Sequence, residues 1–248
     1  MATGLPSYSD YLRRRYGGIV YRIAVDAGFG CPNRRGAGDR DHRGCLYCDA
    51  GGSRAPYLGG VPPPASPQPA DPRWQDSIRR QIEGGAAFLH SRYGAERFAL
   101  YFQAYSNTFA PVRRLQEVYD FALGCGSFLE LIVSTRPDCV DEAVARLLAG
   151  YRDRVEEVWV ELGLQSAHER TLRSIARGHT VADFDRAFRL LRSRGLRLAV
   201  HLIFGLPGED EEHILHTVRH VAALAPEAVK IHNLHVCRDS PLAAEALF

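Results

Sequence analysis

The fold is decided by residues 157–204, which read EVWVELGLQSAHERTLRSIARGHTVADFDRAFRLLRSRGLRLAVHLIF. Two runs in this stretch, Glu157–Leu164 and Arg197–Phe204, have the length of strands and are mostly apolar on both faces, which is typical of buried parallel strands. Between them, apolar residues recur at helical spacing from Phe184 to Leu191. A strand, a helical segment and a second strand in this order predict one right-handed βαβ unit.

The same alternation continues along the chain in both directions. Further strands are predicted at Arg22–Asp26, Phe98–Gln103, Leu129–Thr135 and Ala228–Val236. Helices are predicted at Trp74–Arg92, Pro111–Leu123, Asp141–Ala149, Ser166–Ile175 and Glu211–Ala223, with one more from Thr180 to Gly195. Ser166 with Glu169, and Thr180 with Asp183, have the spacing of helix capping boxes. About six strand–helix units indicate an α/β fold with a parallel sheet, short of the eight units that close a barrel.

Composition excludes several classes of protein. The chain has 248 residues, of which 46% are hydrophobic and 24% charged, so it is neither a disordered chain nor a mini-protein that needs disulfides. It contains no apolar run of about 18–20 residues and no apolar segment near the N-terminus, so we expect no membrane span and no secretory signal. A cytoplasmic protein with reduced thiols is the resulting expectation.

The basic residues of this chain are almost all arginines. The net charge is only +2, which does not imply that the whole surface binds polyanions. Lys230 is the sole lysine, and all other strongly basic residues are arginines, a bias that a GC-rich genome also produces. The proline-rich stretch Gly51–Pro72 is predicted to be an extended surface loop.

Three cysteines follow the first predicted strand in the stretch GFGCPNRRGAGDRDHRGCLYCDAGG, at Cys31, Cys45 and Cys48. In a reducing compartment this spacing indicates a metal site. Three thiolates suit a four-iron cluster with one open iron, and the many glycines allow backbone amides to approach the cluster sulfurs. With His42 as the fourth ligand, the same cysteines suit a structural zinc site. A redox thiol pair is the third alternative.

Polar residues follow most of the predicted strands and also interrupt some of them. The residues that follow strands are Gln103, Ser106, Asn107, Thr108, Ser134, Thr135, Arg136, Gln165 and Ser166. Because the carboxyl ends of parallel strands meet at one edge, these residues predict a site there. Inside strands, Glu161, His201, Lys230 and His232 are expected to point into the barrel and to pair there or contact a ligand, since an unpaired buried charge is costly. The remaining cysteines, Cys125, Cys139 and Cys237, are predicted to be buried structural thiols.

The sequence resembles the radical S-adenosylmethionine (SAM) superfamily. Cys45-Leu46-Tyr47-Cys48 resembles the end of the superfamily signature, although the gap of thirteen residues after Cys31 is longer than the usual three. The long gap is similar to that of a subgroup related to the elongator catalytic subunit. The likeness continues through STRPDC (134–139), VELGLQS (160–166), RGHT (177–180), HLIFGLPGE (201–209) and KIHNLHV (230–236).

This resemblance implies a partial (β/α)6 barrel of the TIM type, open at one edge, with residues 1–248 forming the radical SAM core and lacking a C-terminal covering segment that relatives have. It implies that Cys31, Cys45 and Cys48 hold a [4Fe-4S] cluster and that Tyr47 lies beside the adenine of SAM. Further SAM contacts are implied for Gln103, Ser106, Asn107, Ser134, Glu161, Gln165, Arg177, His201 and His232. Ser134 and His201 replace acidic residues that relatives carry there.

The resemblance also implies an activity, in which reductive cleavage of SAM gives a 5′-deoxyadenosyl radical that abstracts hydrogen from a substrate. An electron donor such as flavodoxin or ferredoxin is implied. The subgroup, together with Arg13–Arg15 and with Arg34, Arg35, Arg40 and Arg43, suggests the hypothesis that the substrate is a tRNA base. The alternatives are a small metabolite or protein side chain as substrate, and a zinc-stabilised binding module without catalysis.

Overall fold

A computed structural model describes residues 6–34, 44–48, 73–238 and 240–245. The predicted loop Gly51–Pro72 lies outside these ranges, as do His42, Arg35, Arg40 and Arg43.

Six parallel strands form one sheet in the order in which they occur along the chain. They are β1 (Tyr21–Val25), β2 (Phe98–Phe102), β3 (Glu130–Thr135), β4 (Glu157–Gln165), β5 (Arg197–Phe204) and β6 (Ala228–Asn233). In the described residues, β1 and β6 do not pair with each other, so the sheet is a partial barrel of TIM type that is open at one edge. The six predicted strands are confirmed, but the last one ends at Asn233 and not at Val236.

Most of the helices lie between strands and cover the outer face of the sheet, whereas the first precedes β1 and the last follows β6. They are α1 (Tyr8–Tyr16), α2 (Arg73–Tyr93), α3 (Val112–Gly124), α4 (Glu142–Gly150), α5 (Glu169–Ser174), α6 (Val181–Ser193), α7 (Glu211–Leu224) and α8 (Pro241–Glu245). The sequence analysis did not predict α1 and α8. The capping box at Thr180 and Asp183 is confirmed. The one at Ser166 is wrong, because the Ser166 hydroxyl donates to Glu209 and α5 begins three residues later.

The main core lies between the outer face of the sheet and the helices. Alternate strand residues such as Val25, Phe102 and Val160 point outward and are fully buried against helix residues such as Leu115 and Phe184. The other half of the strand residues therefore faces the barrel interior, because successive side chains of a strand point to opposite faces.

Helix α1 fills the amino-terminal end of the barrel. Its Leu12 is buried among Tyr101, Ile132 and Trp159, which all point inward. The α1 residues Tyr8 and Tyr11 pack edge-on against Trp159 and donate their hydroxyls to the carboxylates of Glu130 and Glu157, the first residues of β3 and β4. Because α1 fills the amino-terminal end, the carboxyl-terminal end of the barrel is the end available for a site. None of the helices in the described ranges is both long enough and apolar enough to cross a bilayer.

Candidate iron–sulfur and SAM site

The predicted cysteine loop lies at the carboxyl-terminal end of the barrel. Cys31 comes six residues after the end of β1, and the segment 44–48 is fixed to two distant parts of the chain. The Leu46 amide donates to the Ile175 carbonyl at 3.0 Å, and the Leu46 carbonyl accepts from the Leu242 amide at 2.8 Å. The end of α5 and the short α8 therefore position Cys45 and Cys48. Tyr47, which lies between these two cysteines in the sequence, packs against a cluster that includes Ile203.

Cys45 is buried in surroundings that favour a thiolate. Its sulfur lies 3.5 Å from Arg177 Nη1, 4.0 Å from Arg136 Nη1 and 3.5 Å from Asn33 Nδ2. Burial by itself raises the pKa of the Cys45 thiol, but the two guanidinium groups outweigh it, so that the pKa falls below its usual range. A low-pKa thiol among fixed cations is what a ligand to iron or zinc requires.

Arg177 is itself held in place by the bulge of β4. Its Nη2 donates to the Gly163 carbonyl at 2.9 Å, and a side chain at Gly163 would place Cβ only 2.7 Å from that nitrogen. The pairing of β4 with β5 shifts register between Gly163 and Gln165, and Gln165 has a φ of +74°. A left-handed glutamine at a strand end is strained, and such strain is common at functional sites.

The described cysteines do not form a finished metal site. Among the described residues, no three Cys, His, Asp or Glu side chains are grouped closely enough to hold a metal ion. The donor chemistry nevertheless fits an iron–sulfur cluster. Cys45 is surrounded by cations that suit an anionic cluster, Cys31 and Cys48 are partly exposed, and Arg177 Nε is buried without a described partner. His42, the zinc alternative's fourth ligand, lies outside the described residues.

A buried carboxylate lies at the centre of the barrel interior. Glu161 accepts from Arg22 Nη1 at 2.7 Å, from the Tyr101 hydroxyl at 2.7 Å and from His201 Nε2 at 2.8 Å, and Lys230 Nζ lies 3.4 Å away. Burial raises the pKa of Glu161, but His201, Arg22 and Lys230 lower it more, so that the pKa lies well below its usual range. The expected pairing of Glu161, His201 and Lys230 is present.

His232 joins this group at its outer edge. Its ring lies 5.6 Å from that of His201, centroid to centroid. Burial lowers the pKa of both imidazoles. The Glu161 carboxylate opposes this effect at His201, whereas the neighbouring His201 and Lys230 add to it at His232.

The predicted residues after β2 and β3 mainly shape the loops. Asn107 Nδ2 donates to the carbonyls of Phe102, Ala104 and Ser134, and the Ser106 hydroxyl bonds that of Thr135 at 2.9 Å. Gln103 is half-buried, and its backbone N–H donates to the Val25 carbonyl. These bonds hold the β2 and β3 loops against each other beside the cysteine loop.

Sequence reasoning named Arg136 only as one of the polar residues at the strand ends, and it missed Asn33 and His179 as candidates. Arg136 is buried and makes two 2.9 Å bonds to Asp138 while its Nη1 faces Cys45. Asn33 connects Cys45 to the Ala176 carbonyl, and His179 Nε2 donates to the Gly163 carbonyl at 3.1 Å. Arg136 follows a predicted strand and His179 lies in the RGHT segment, so position gave a signal for these two. Nothing local distinguishes Asn33.

The arginines proposed for tRNA that the structure describes lie at two opposite ends of the barrel. Arg13–Arg15 are on α1 at the amino-terminal end of the barrel, and Arg15 pairs with Glu156 and Glu157. Arg34 lies at the opposite end, with its guanidinium over the Tyr105 ring. The prediction of buried thiols is wrong for Cys237, which is exposed because β6 ends earlier than expected, whereas Cys125 and Cys139 are partly buried.

Comparison with known proteins identifies the family. Residues 30–221 match the family model described as the Radical SAM superfamily. The chain is 40% identical over 233 residues to protein YhcC of Escherichia coli K12, covering 94% of this chain and 69% of that protein. Over 83 residues it is 37% identical to the tRNA uridine(34) acetyltransferase of Methanocaldococcus jannaschii, covering 33% of this chain and 14% of that protein.

Two solved structures share the fold. Coproporphyrinogen III oxidase (HemN) of E. coli has a TM-score of 0.59 at 16% identity, covering 91% of this chain and 46% of that one. Elp3 of Methanocaldococcus infernus has a TM-score of 0.54 at 21% identity, covering 68% of this chain and 44% of that one. Family membership implies a [4Fe-4S] cluster and SAM as cofactors. The chain belongs to the Radical SAM superfamily, is related to its elongator-type members, and is a radical SAM enzyme.

Proposed function

We propose that Cys31, Cys45 and Cys48 hold the [4Fe-4S] cluster of this enzyme at the carboxyl-terminal end of the barrel. The observation that carries the proposal is the position of Cys45, a buried sulfur that faces the guanidinium groups of Arg177 and Arg136. Two fixed cations stabilise a thiolate and lower the cost of burying an anionic cluster.

When bound, the cluster and SAM supply a 5′-deoxyadenosyl radical that abstracts hydrogen from the substrate. The chain itself orients these groups. Arg177 bonds both the Cys45 sulfur and the Gly163 carbonyl in the β4 bulge. These two bonds fix the distance between the cysteine loop and the strand ends. Tyr47 packs near Ile203 and provides a ring at the mouth of the barrel, where we place the adenine. The other proposed SAM neighbours are the residues that the resemblance implies: Gln103, Ser106, Asn107, Ser134, Glu161, Gln165, Arg177, His201 and His232.

We further propose that the substrate is a base of tRNA. Support comes from the likeness to the tRNA uridine(34) acetyltransferase over a third of the chain. Arg34 lies beside the cysteine loop and stacks on Tyr105, a pairing of cation and ring that suits contact with a nucleic acid. Arg13–Arg15 are excluded from this role, because α1 lies at the other end of the barrel.

Anaerobic reconstitution with iron and sulfide tests the cluster. We expect brown protein with about four irons per chain and formation of 5′-deoxyadenosine from SAM with dithionite, flavodoxin or ferredoxin as the reductant. Cys45→Ser must lose bound iron and product, whereas the matched variant Cys125→Ser, outside the loop, must keep both. Colourless protein that binds one zinc and leaves SAM intact would instead identify a structural zinc module.

Binding of unfractionated tRNA at several salt concentrations tests the substrate. Phosphate contacts predict an affinity that falls steeply as salt rises. Combined replacement of Arg34, Arg35, Arg40 and Arg43 by Ala is expected to weaken binding at least tenfold and to reduce the salt slope. Arg113→Ala, which removes a fully exposed arginine on α3, is the control. If no tRNA binds at low salt but SAM is still cleaved, the substrate is a small metabolite or a protein side chain.

A further inference from the structure

Lys230 differs from every other strongly basic residue of the chain in type and in position. The sequence contains 31 lysines and arginines, of which Lys230 is the sole lysine. It is the third residue of β6, and its side chain points into the barrel toward Tyr101 and Glu161. A composition biased toward arginine does not by itself explain why this one inward-facing position carries a compact ammonium group.

The ammonium group of Lys230 has few close partners among the described residues. Its Nζ lies 3.4 Å from the Tyr101 hydroxyl and 3.4 Å from Glu161 Oε2. That oxygen already accepts shorter bonds from Tyr101 at 2.7 Å and from His201 at 2.8 Å. An ammonium has three protons to donate. Its remaining capacity faces the barrel interior, where 36% of the Lys230 side chain is exposed.

Two cations contact the one carboxylate of Glu161. Arg22 Nη1 lies 2.7 Å and Lys230 Nζ 3.4 Å from its oxygens. The nearby carboxylate of Glu130 lies one layer deeper and is bonded by Tyr8, and it makes no ion pair with a described residue. The Glu161 carboxyl is 2% exposed, whereas the side chains of its two cations are 29% and 36% exposed, so the cations line the open part of the interior.

The position of Lys230 relates this cationic surface to the cysteine loop. Lys230 pairs in register with His201, which pairs with Gly163. Gly163 is the residue whose carbonyl binds Arg177, and Arg177 contacts Cys45. His232 and Ile203 pair one inward-facing position nearer the mouth, and Ile203 belongs to the cluster against which Tyr47 packs. The ammonium group therefore lies in the barrel interior, below the proposed cluster and SAM site.

We propose that the barrel interior holds an oxyanion subsite, with Lys230 as its main contact and Arg22 beside it, which binds a carboxylate or phosphate of the substrate. The proposal rests on the proposed function, since it places this group next to the C–H bond that is attacked. It defines the substrate as a molecule that brings an anionic group near its reacting carbon, and for the proposed tRNA base that group is a phosphate of the backbone.

The single lysine makes the subsite directly measurable. The reconstituted full chain is treated briefly with acetic anhydride under anaerobic conditions, and acetylation of Lys230 is compared with that of the N-terminal amine by peptide mass spectrometry. Ionic strength is held constant with chloride. Parallel samples contain inorganic phosphate or malonate.

Each outcome decides the proposal. Slowing of Lys230 acetylation by threefold or more in phosphate, with the N-terminal amine unaffected, supports the subsite for a phosphate, and the same result in malonate supports it for a carboxylate. Equal rates in all samples overturn it, and so does a Lys230 that stays unmodified without anions, because the ammonium group then does not face an open interior.

Variants provide a second measurement that does not depend on catalysis. The protecting anion is expected to raise the Tm of the wild type and of Lys230→Arg, which keeps an oxyanion donor, but not that of Lys230→Met. Arg113→Met is the control for general charge loss and is expected to keep the shift. Loss of 5′-deoxyadenosine formation with protection retained would contradict the proposed function alone, whereas activity without protection would contradict the subsite alone.

Discussion

Gly163 is important for the cysteine site because its lack of a side chain leaves room for two neighbouring side chains. The space beside its Cα is filled by the Arg177 guanidinium and the Gln165 amide, which lie 2.7 and 2.8 Å from where a Cβ would be. Any other residue forces these groups away. Because Arg177 connects this strand to Cys45, the glycine determines where the cysteine loop can lie.

We expect Gly163→Ala to reduce bound iron per chain at least threefold after reconstitution. The added methyl displaces Arg177 and removes a cation from the Cys45 sulfur, while overpacking costs about 1–3 kcal/mol of folding stability. Gly84→Ala, at a position in α2 with no neighbour within 4 Å, is the matched control and is expected to leave iron content unchanged and stability equal or higher. Normal iron content in Gly163→Ala would contradict this role.

His179 gives the fold a pH dependence. Burial, and then the charge of Arg177, lower the pKa of His179 from 6.5 to about 4. As pH falls, His179 therefore binds a proton near pH 6.5 in the unfolded chain but only near pH 4 in the folded chain. The stability from this group is complete above about pH 7 and declines as pH falls from 6.5 to 4, by about 3 kcal/mol in total.

His179→Gln is expected to flatten the stability profile between pH 6.5 and 4, as measured by urea unfolding at each pH. The exposed His235→Gln serves as the control and should reproduce the wild-type slope. An unchanged slope in His179→Gln would show that other groups cause the acid sensitivity of this protein.

At the scale of elements, α1 acts as a plug for the amino-terminal end of the barrel. Two tyrosine hydroxyls bond buried carboxylates of β3 and β4, while Leu12 and the tyrosine rings cover Trp159. The capping box of Ser7 and Asp10 fixes where the helix starts. Without this helix, inward-facing apolar residues of β2 to β4 and two carboxylates would be exposed.

Leu12→Ala is expected to lower the free energy of unfolding by about 2–4 kcal/mol, because it leaves a cavity in the interior at a site that is 3% exposed. Denaturant unfolding measures the loss. Arg13→Ala on the exposed face of the same helix should change stability by less than about 0.5 kcal/mol. Equal effects of both variants would mean that α1 is not packed as a plug.

At the scale of the whole molecule, the barrel separates stability from chemistry. The amino-terminal end is filled by α1 and its aromatic contacts, and the carboxyl-terminal end carries the cysteine loop, Arg177 and Gly163. The two groups share no hydrogen-bond partner among the described residues. Substitutions at one end are therefore not expected to alter the other.

The double variant Leu12→Ala/Gly163→Ala tests this separation. We expect its loss of unfolding free energy to equal the sum of the single losses within about 0.5 kcal/mol. Its iron content should match that of Gly163→Ala alone, while Leu12→Ala alone should reconstitute normally at a temperature where it is folded. A coupling larger than about 1 kcal/mol would reveal communication along the barrel.

Sequence alone determined the alternation of strands and helices, the capping of α6 and the placement of the cysteine loop after β1. These features depend on periodicity and spacing within short stretches, and neighbouring residues are enough to specify them. It also marked Glu161, His201 and Lys230 as residues that need partners, because charges inside apolar strands require them. The early end of β6 was missed, since an apolar run does not show where pairing with β5 stops.

Only the tertiary structure decided which residues are the partners of these buried groups. Glu161 contacts Arg22, which is 139 positions away, and Cys45 contacts Arg177, which is 132 positions away. The function of α1 as a plug likewise depends on carboxylates on β3 and β4. Such contacts follow from strand register and from how far the sheet curls, and both are set by the packing of the whole chain.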